Sequence, residues 1–437
     1  MTSTPAQIQF PCPICGSLLR VPTTVVGQKV RCPKCNSIVD AVNAVDAAIP
    51  PPAISISSQE PIPLVGTRES PEAVSGVSFQ DPQPVVSRNA TGNPAHVQTG
   101  TERTMPNGPR VNPLDAKGEE TETRALYRRI TSEIAKLFVG QQELVLGTMV
   151  ALFSGGHVLI ESVPGLGKTL FVRALGKVLG CKFGRIQFTA DLMPSDVTGS
   201  PIFNMKTQEF QFRQGPVFTQ FLLADEINRA PAKTHAALLE IMQEKNVTVD
   251  GFTHELQAPF IVLATQNPVE SEGTYNLPEA QLDRFMFKLV ANYPTEEQEN
   301  RILALHSTQK DLNRRLIDEL ETVSDAANIV RIANAAEQVR VDQKLFEYVN
   351  RVVRTTRRWP QFHLGASTRA GISLIQGSRT LAAFCGRDFV VPDDIVQIAL
   401  PALRHRVSLT AEAEVEGQSI DQLLLDMIKT VEVPRLD

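Results

Sequence analysis

The run Glu161-Ser162-Val163-Pro164-Gly165-Leu166-Gly167-Lys168-Thr169 is rich in glycine and ends in a Lys-Thr pair. An apolar segment, residues 157–160, leads into it. A helical pattern follows, with Leu170, Ala174, Val178 and Leu179 on one face and Gly180 at its end. Strand, glycine-rich loop and helix together turn backbone N–H groups inward, at a helix N-terminus, where they hold phosphate oxygens. Ser162, Val163, Pro164, Gly165, Leu166 and Gly167 would then cradle the phosphates of a nucleotide. Lys168 would reach its β- and γ-phosphates, and the Thr169 hydroxyl would coordinate Mg²⁺. The pattern G-x-x-x-x-G-K-[ST] asks for glycine where this chain has Ser162. If the backbone there were left-handed, serine would cost about 1–2 kcal/mol. A chance glycine-rich turn is the plainer alternative.

Further groups fit the same chemistry. The apolar run at 221–224 ends in Asp225-Glu226. Asp225 would hold Mg²⁺ directly or through water, and Glu226 would polarise the attacking water as general base. A solvated acidic turn is the alternative, but the pair falls within a matching strand–helix alternation. The run at 260–264 ends in Thr265-Gln266-Asn267-Pro268, which sets Asn267 beside the γ-phosphate. Leu282-Asp283-Arg284-Phe285 puts a guanidinium at the end of a helix. Arg284 could serve the γ-phosphate of a neighbouring subunit or close an internal salt bridge. Pro231 suits the first turn of a helix whose face carries His235, Leu238, Leu239 and Met242, so His235 reads as packed rather than catalytic.

These groups need a scaffold that brings strand ends together. Apolar runs at 158–160, 186–188, 221–224, 260–264 and 285–290 alternate with helical patterns. This predicts an α/β fold with a parallel sheet and helices on both faces. Leu126, Ile130, Ile134 and Leu137 recur at helical spacing ahead of it. From Thr295 the pattern is helical only, which predicts a separate helical subdomain. Alternating Phe210 and Phe212 suggest a hairpin at 201–213, and Asp250-Gly251 a second at 246–256.

The N-terminal quarter differs. Cys12-Pro13-Ile14-Cys15 and Cys32-Pro33-Lys34-Cys35 are two C-x-x-C pairs whose spacing suits one four-cysteine Zn²⁺ site. A forty-residue block so poor in core residues would fold around the metal. Unrelated cysteines or a redox pair are the alternatives, though a redox motif needs no second matched pair. Twelve of the thirty prolines lie between residues 41 and 118, a stretch with no lasting period, which reads as a disordered tether. The predicted units are a zinc ribbon at 1–40, a linker at 41–118, an α/β domain at 119–294 and a helical lid at 295–437. The net charge of −5 counts against a chain built to coat nucleic acid or an anionic membrane. No signal-like start and no membrane-length apolar run is present, so a cytoplasmic chain without membrane insertion is expected.

Taken together, residues 158–169, 188–199, 224–231, 264–268 and 277–287 resemble the MoxR family of AAA+ ATPases, over roughly residues 120–420. The resemblance implies an AAA+ domain with a helical lid and a hexameric ring with ATP between subunits. Gly365-Ala366-Ser367-Thr368-Arg369 resembles the lid's sensor segment, which implies that Arg369 contacts the γ-phosphate in cis. Val139-Gly140-Gln141 resembles the segment that packs on adenine, and the two hairpins match pore-lining loops. The family implies a chaperone-like role beside proteins with von Willebrand factor A domains, assembling, activating or loading metal into client complexes. The chain departs from the family at Ser162 and Ala190, and the ribbon and tether lie outside the resemblance. Two other functions stay open: a nucleic-acid motor with the ribbon as its DNA or RNA contact, and a nucleotide-binding scaffold that does not hydrolyse.

Overall fold

The structure is a computed structural model that describes residues 7–11, 17–22, 28–35, 38–40, 112–163, 165–267, 277–306 and 317–435. It divides into two compact units, Met1–Val97 and Gln98–Asp437. Cys12, Cys15, Pro164 and most of the predicted tether (residues 41–111) lie outside the described residues. In the smaller unit, β1 (Gln7–Pro11) pairs antiparallel with β2 (Leu18–Pro22), and β3 (Lys29–Arg31) with β4 (Ile38–Asp40). Each C-x-x-C pair falls between the two strands of one hairpin. Among the described residues of this unit, Leu19, Cys32 and Val39 are buried together.

The larger unit begins with residues 112–118 packed in place. Arg124 donates to the carbonyls of Ala116 and Gly118, and a Cβ on Gly118 would come within 2.0 Å of the Cys385 carbonyl oxygen. Then come α1 (Glu122–Leu137), α2 (Gln142–Phe153), β5 (Val158–Ser162), α3 (Lys168–Val178), β6 (Phe183–Gln187), α4 (Pro194–Thr198), β7 (Gly199–Asn204), β8 (Glu209–Gln214), β9 (Phe221–Asp225), α5 (Ala232–Glu244), β10 (Asn246–Val249), β11 (Phe252–Glu255), β12 (Ile261–Gln266), α6 (Glu279–Leu282) and β13 (Phe287–Ala291). Five of these strands form one parallel sheet in the order β13-β5-β12-β9-β6. They are the five expected runs, with ends shifted by a few residues. The strand expected at 186–188 runs from Phe183 to Gln187.

The sheet divides its side chains with period two. Val158, Ile160, Phe221, Leu223, Ile261 and Leu263 join a core with α1, α2, α3 and the lid. Leu159, Leu222, Ala224, Val262 and Ala264 face the other way, onto Leu238, Leu239, Ile241 and Met242 of α5. The long helices of the lid are α7 (Glu296–His306), α8 (Ala326–Glu337), α9 (Gln343–Thr356), α10 (Thr368–Phe384), α11 (Pro392–Leu403) and α12 (Ile420–Thr430). The expectation of helix alone after Thr295 needs one correction: Phe362–Leu364 and Ser408–Leu409 pair as a short antiparallel ladder. The lid shares the first core. A Cβ on Gly377 of α10 would lie 2.7 Å from Ile398 and 3.0 Å from Phe287, so glycine permits the close approach of α10 to β13.

Both expected hairpins form. β10 and β11 meet at Asp250-Gly251, each with positive φ, as a tight two-residue turn requires. β7 and β8 pair from Gly199↔Gln214 to Asn204↔Glu209. His254 of β11 stacks on Phe212 of β8 at 4.3 Å and joins the two hairpins. Beyond this joint Phe203, Met205 and Phe210 are exposed. Among the described residues no helix is long and apolar enough to cross a membrane.

Candidate active site

A parallel sheet delivers all its strand ends on one side, and the first three groups of the site arrive this way. β5 ends at Ser162, which is buried in the strand with its hydroxyl donating to the Val163 carbonyl at 3.2 Å. Its backbone is extended, so the cost expected for a left-handed serine does not arise. The left-handed positions are Gly165 (φ +87) and Gly167 (φ +76). No side chain caps α3, whose first N–H groups follow Gly167 directly. An uncapped helix start behind two left-handed glycines fits a phosphate group. Lys168 and Thr169 open the helix. Phe138, next to Val139, packs at a tilt against Phe171, with ring centroids 4.9 Å apart, and would lie 3.6 Å from a Cβ on Gly167. The segment expected to pack on adenine therefore borders the loop; Val139 is buried and Gly140 is left-handed at φ +76.

The acidic pair ends β9. Asp225 is buried, and its Oδ1 accepts from the Thr265 hydroxyl at 2.6 Å. Its Oδ2 accepts from Arg185 through Nη2 at 2.6 Å and Nε at 3.2 Å. Glu226 has φ +56, an unusual backbone for a non-glycine residue that costs roughly 1 kcal/mol. The Glu226 N–H donates to the Thr265 hydroxyl at 2.9 Å and so anchors that conformation. Its carboxylate accepts from Gln187 Nε2 at 2.7 Å and pairs with Arg229 at 3.2 Å. Asn267 is buried just past the end of β12, between β5 and β9 in the sheet. Lys168, Thr169, Asp225, Glu226 and Asn267 are thus gathered at the carboxyl ends of neighbouring strands.

Besides Arg229, three partners in this cluster were not singled out from sequence: Arg185, Gln187 and Thr265. Gln187 of β6 lies opposite Asp225 in the register, and Thr265 follows Ala264, the partner of Ala224. Only the sheet order reveals them. The one available signal was the polar alternation in Arg185-Ile186-Gln187 at a strand end. His235 is packed as expected, its ring bonded to the Ile227 carbonyl; burial lowers its pKa. His157, at the entrance to β5, accepts from Val262 N–H at Nδ1 and donates from Nε2 to the Met242 carbonyl. Burial pushes its pKa down to about 4, so it stays neutral.

The two arginines lie elsewhere. Met286 N–H donates to the His157 carbonyl at 2.8 Å, so residues 283–286 sit at the amino end of the sheet. The phosphate loop leaves the carboxyl end, one strand length or roughly 17 Å away. Among the described residues the Arg284 guanidinium has no ion-pair or hydrogen-bond partner, so the internal salt bridge is absent there. Arg369 lies 3.8 Å from Asp283. Arg369 therefore sits at the opposite end of the sheet from the phosphate loop, away from the position that the expected cis contact requires. Asp283 and Arg406, which surround both arginines, were also not foreseen. Among the described residues no three metal-binding side chains cluster; two of the four predicted zinc ligands lie outside them.

A five-stranded parallel sheet, a glycine loop opening a helix, a strand-end acidic pair and a helical lid define an AAA-type ATPase fold. The family profile "ATPase family associated with various cellular activities (AAA)" matches residues 157–287, and "AAA lid domain" matches residues 354–426. Chaperone MoxR1 of Mycobacterium tuberculosis is 40% identical over 334 residues, 74% of this chain and 86% of that protein. Protein MoxR of Methylorubrum extorquens is 32% identical over 336 residues, 72% and 97% of the two chains. The uncharacterized protein YeaC of Bacillus subtilis is 44% identical over 315 residues, 72% and 97%. A crystal structure of a candidate ATPase from Cytophaga hutchinsonii superposes with a TM-score of 0.67 at 40% identity, covering 72% of this chain and 96% of that one. The chain belongs to the MoxR family of AAA+ ATPases.

Proposed function

We propose that this protein is an ATP-hydrolysing chaperone that remodels, activates or matures partner complexes, working as a hexamer beside a von Willebrand A-domain protein. The observation that carries the reading is the meeting of Asp225 and Glu226 with the phosphate loop at one end of the sheet, tied through Thr265. Bound Mg²⁺–ATP supplies the phosphoanhydride bond and the charge neutralisation that its cleavage needs. Ser162 to Gly167 and Lys168 hold the phosphates, and Val139 and Gly140 flank the base. Thr169 and Asp225 are the Mg²⁺ ligands. Glu226 takes the proton of the attacking water, and Asn267 orients that water. Arg284 and Arg369, both at the far end of the sheet, serve the nucleotide of an adjacent copy. Loss of their contacts on hydrolysis moves lid and neighbour.

The exposed Phe203, Met205 and Phe210 on the β7–β8 hairpin suit contact with protein. The β10–β11 hairpin carries Asp250, His254 and Glu255 and no basic residue, a poor surface for phosphate backbones. Cys12, Cys15, Cys32 and Cys35 hold Zn²⁺; each pair lies in sequence between two strands that pair with each other, and Cys32 is buried. The ribbon, at 1–40, captures a partner and the linker raises that partner's effective concentration at the ATPase. The domain division at 118 and 294 and a cytoplasmic location complete the reading. The test is a pull-down with Glu226→Gln, which holds the ATP-bound state. It should recover a von Willebrand A-domain protein with its client in the presence of ATP. Recovery of nucleic acid instead would favour a motor.

A further inference from the structure

We propose that Asp283 is a positioning residue that sets, from one carboxylate, both arginines this chain offers to a neighbouring copy's nucleotide. The inference rests on the reading of Arg284 and Arg369 as acting in trans.

Asp283 connects two elements that are far apart in sequence. The Ser367 hydroxyl lies 2.9 Å from both Asp283 oxygens and donates to them. Ser367 is also the N-cap of α10 and accepts from the Arg369 N–H at 3.1 Å. The carboxylate therefore fixes the cap rotamer and, with it, the first turn of the helix that carries Arg369. The Arg369 guanidinium, about half exposed, stands 3.8 Å from the same carboxylate.

On its other side Asp283 Oδ1 accepts from Arg406 Nε at 2.8 Å. The Arg406 side chain is 2% exposed. It donates to the carbonyls of Asp283 (3.0 Å), Phe285 (2.7 Å), Met286 (3.2 Å) and Ala402 (2.7 Å). The first two flank Arg284, so its backbone is held from both sides, while its guanidinium has no partner among the described residues. His405 adds a bond to the Phe285 carbonyl at 2.9 Å. A buried guanidinium needs a countercharge to remain in place, and Asp283 is the carboxylate bonded to it. A buried guanidinium that bonds one carboxylate and four carbonyls holds the segments carrying them rigidly. Rigidity matters here because a displacement of about 1 Å in a group that stabilises a transition state can cost roughly a hundredfold in rate. Asparagine at 283 keeps the size but offers one oxygen where Ser367, Arg406 and Arg369 together need two and a charge.

The experiment uses mixed rings of full-length chains. The acceptor carries Arg284→Ala and retains its own hydrolytic residues. The donor carries Glu226→Gln and retains its arginines. Mixing should restore ATP turnover that neither chain shows alone. Adding Asp283→Asn to the donor should cut the restored turnover at least tenfold, with donor nucleotide binding, oligomeric state and melting temperature unchanged. Adding Asp283→Asn to the acceptor instead should leave restoration intact, which a merely structural role would not allow. Restoration by the Asp283→Asn donor as full as by the intact donor overturns the proposal. Failure of the intact donor to restore turnover overturns the trans reading itself, and the proposal with it. If the Asp283→Asn chain does not assemble, Ser367→Ala in the donor decides between the same two results.

Discussion

Arg185 occupies the carboxylate proposed above as a Mg²⁺ ligand, and on that reading replacing it should make the metal easier to bind. Asp225 Oδ1 is engaged by Thr265, so Oδ2 is the oxygen left for a cation, and Arg185 holds it through two N–H groups at 2.6 and 3.2 Å. A charge-assisted hydrogen bond of this kind is worth about 1.5–3 kcal/mol when shielded. The Arg185 side chain is 44% exposed against 12% for Asp225, and solvent screening reduces the figure to about 1 kcal/mol. At 1.36 kcal/mol per tenfold, Arg185→Gln should lower the Mg²⁺ concentration for half-maximal ATP turnover by about fivefold. Arg185→Lys, which keeps the charge, should recover most of the wild-type value. The assay is a Mg²⁺ titration of ATP turnover at saturating nucleotide. A half-saturation that stays the same or rises in Arg185→Gln would refute the competition. Arg185 would then be orienting Asp225 rather than blocking it.

Two further outcomes are expected. The His157 pKa is depressed from 6.5 in the unfolded chain to about 4 in the fold. The folded state therefore binds fewer protons between these values, and stability present above about pH 6.5 is lost as pH falls toward 4. Denaturant titration should show a loss of about 2 kcal/mol between pH 7 and pH 5 from this residue. His405, also depressed by burial and then by Arg406, adds in the same direction. His157→Asn, which can accept from Val262 N–H without gaining a proton, should flatten that part of the curve. Metal analysis should find one zinc per chain, lost in Cys32→Ser; a full-length chain purified without chelator and free of zinc would exclude the ribbon site.

Much of the fold could be read in the sequence because its signals are local. Each of the five strands is a short apolar run, and the phosphate loop is contiguous from β5 to α3. Asp225 and Glu226 were visible because a buried strand ending in two acids is a local pattern. Arg185, Gln187 and Thr265 were not, because their proximity to those acids depends on β6 and β12 flanking β9. The conformation of Ser162 was undecided for a different reason. The motif marks a glycine position, but whether its φ is positive depends on where β5 ends, and the strand continues through Ser162. Arg369 shows the limit most plainly. Its motif is visible, but the end of the sheet it occupies depends on how α10 docks against β13. Ser367, Asp283 and Arg406, which hold that end together, come from three distant segments.

Hydrolysis by the strand-end pair is tested most directly by ATP turnover of the assembled protein with Mg²⁺, wild type against Glu226→Gln. The wild type should turn over ATP. Glu226→Gln should bind ATP with unchanged affinity and lose turnover by about 10²–10⁴-fold, the usual contribution of a general base. A wild-type protein that binds ATP without hydrolysing it, or a Glu226→Gln chain as active as the wild type, would contradict the assignment and leave a nucleotide-binding scaffold.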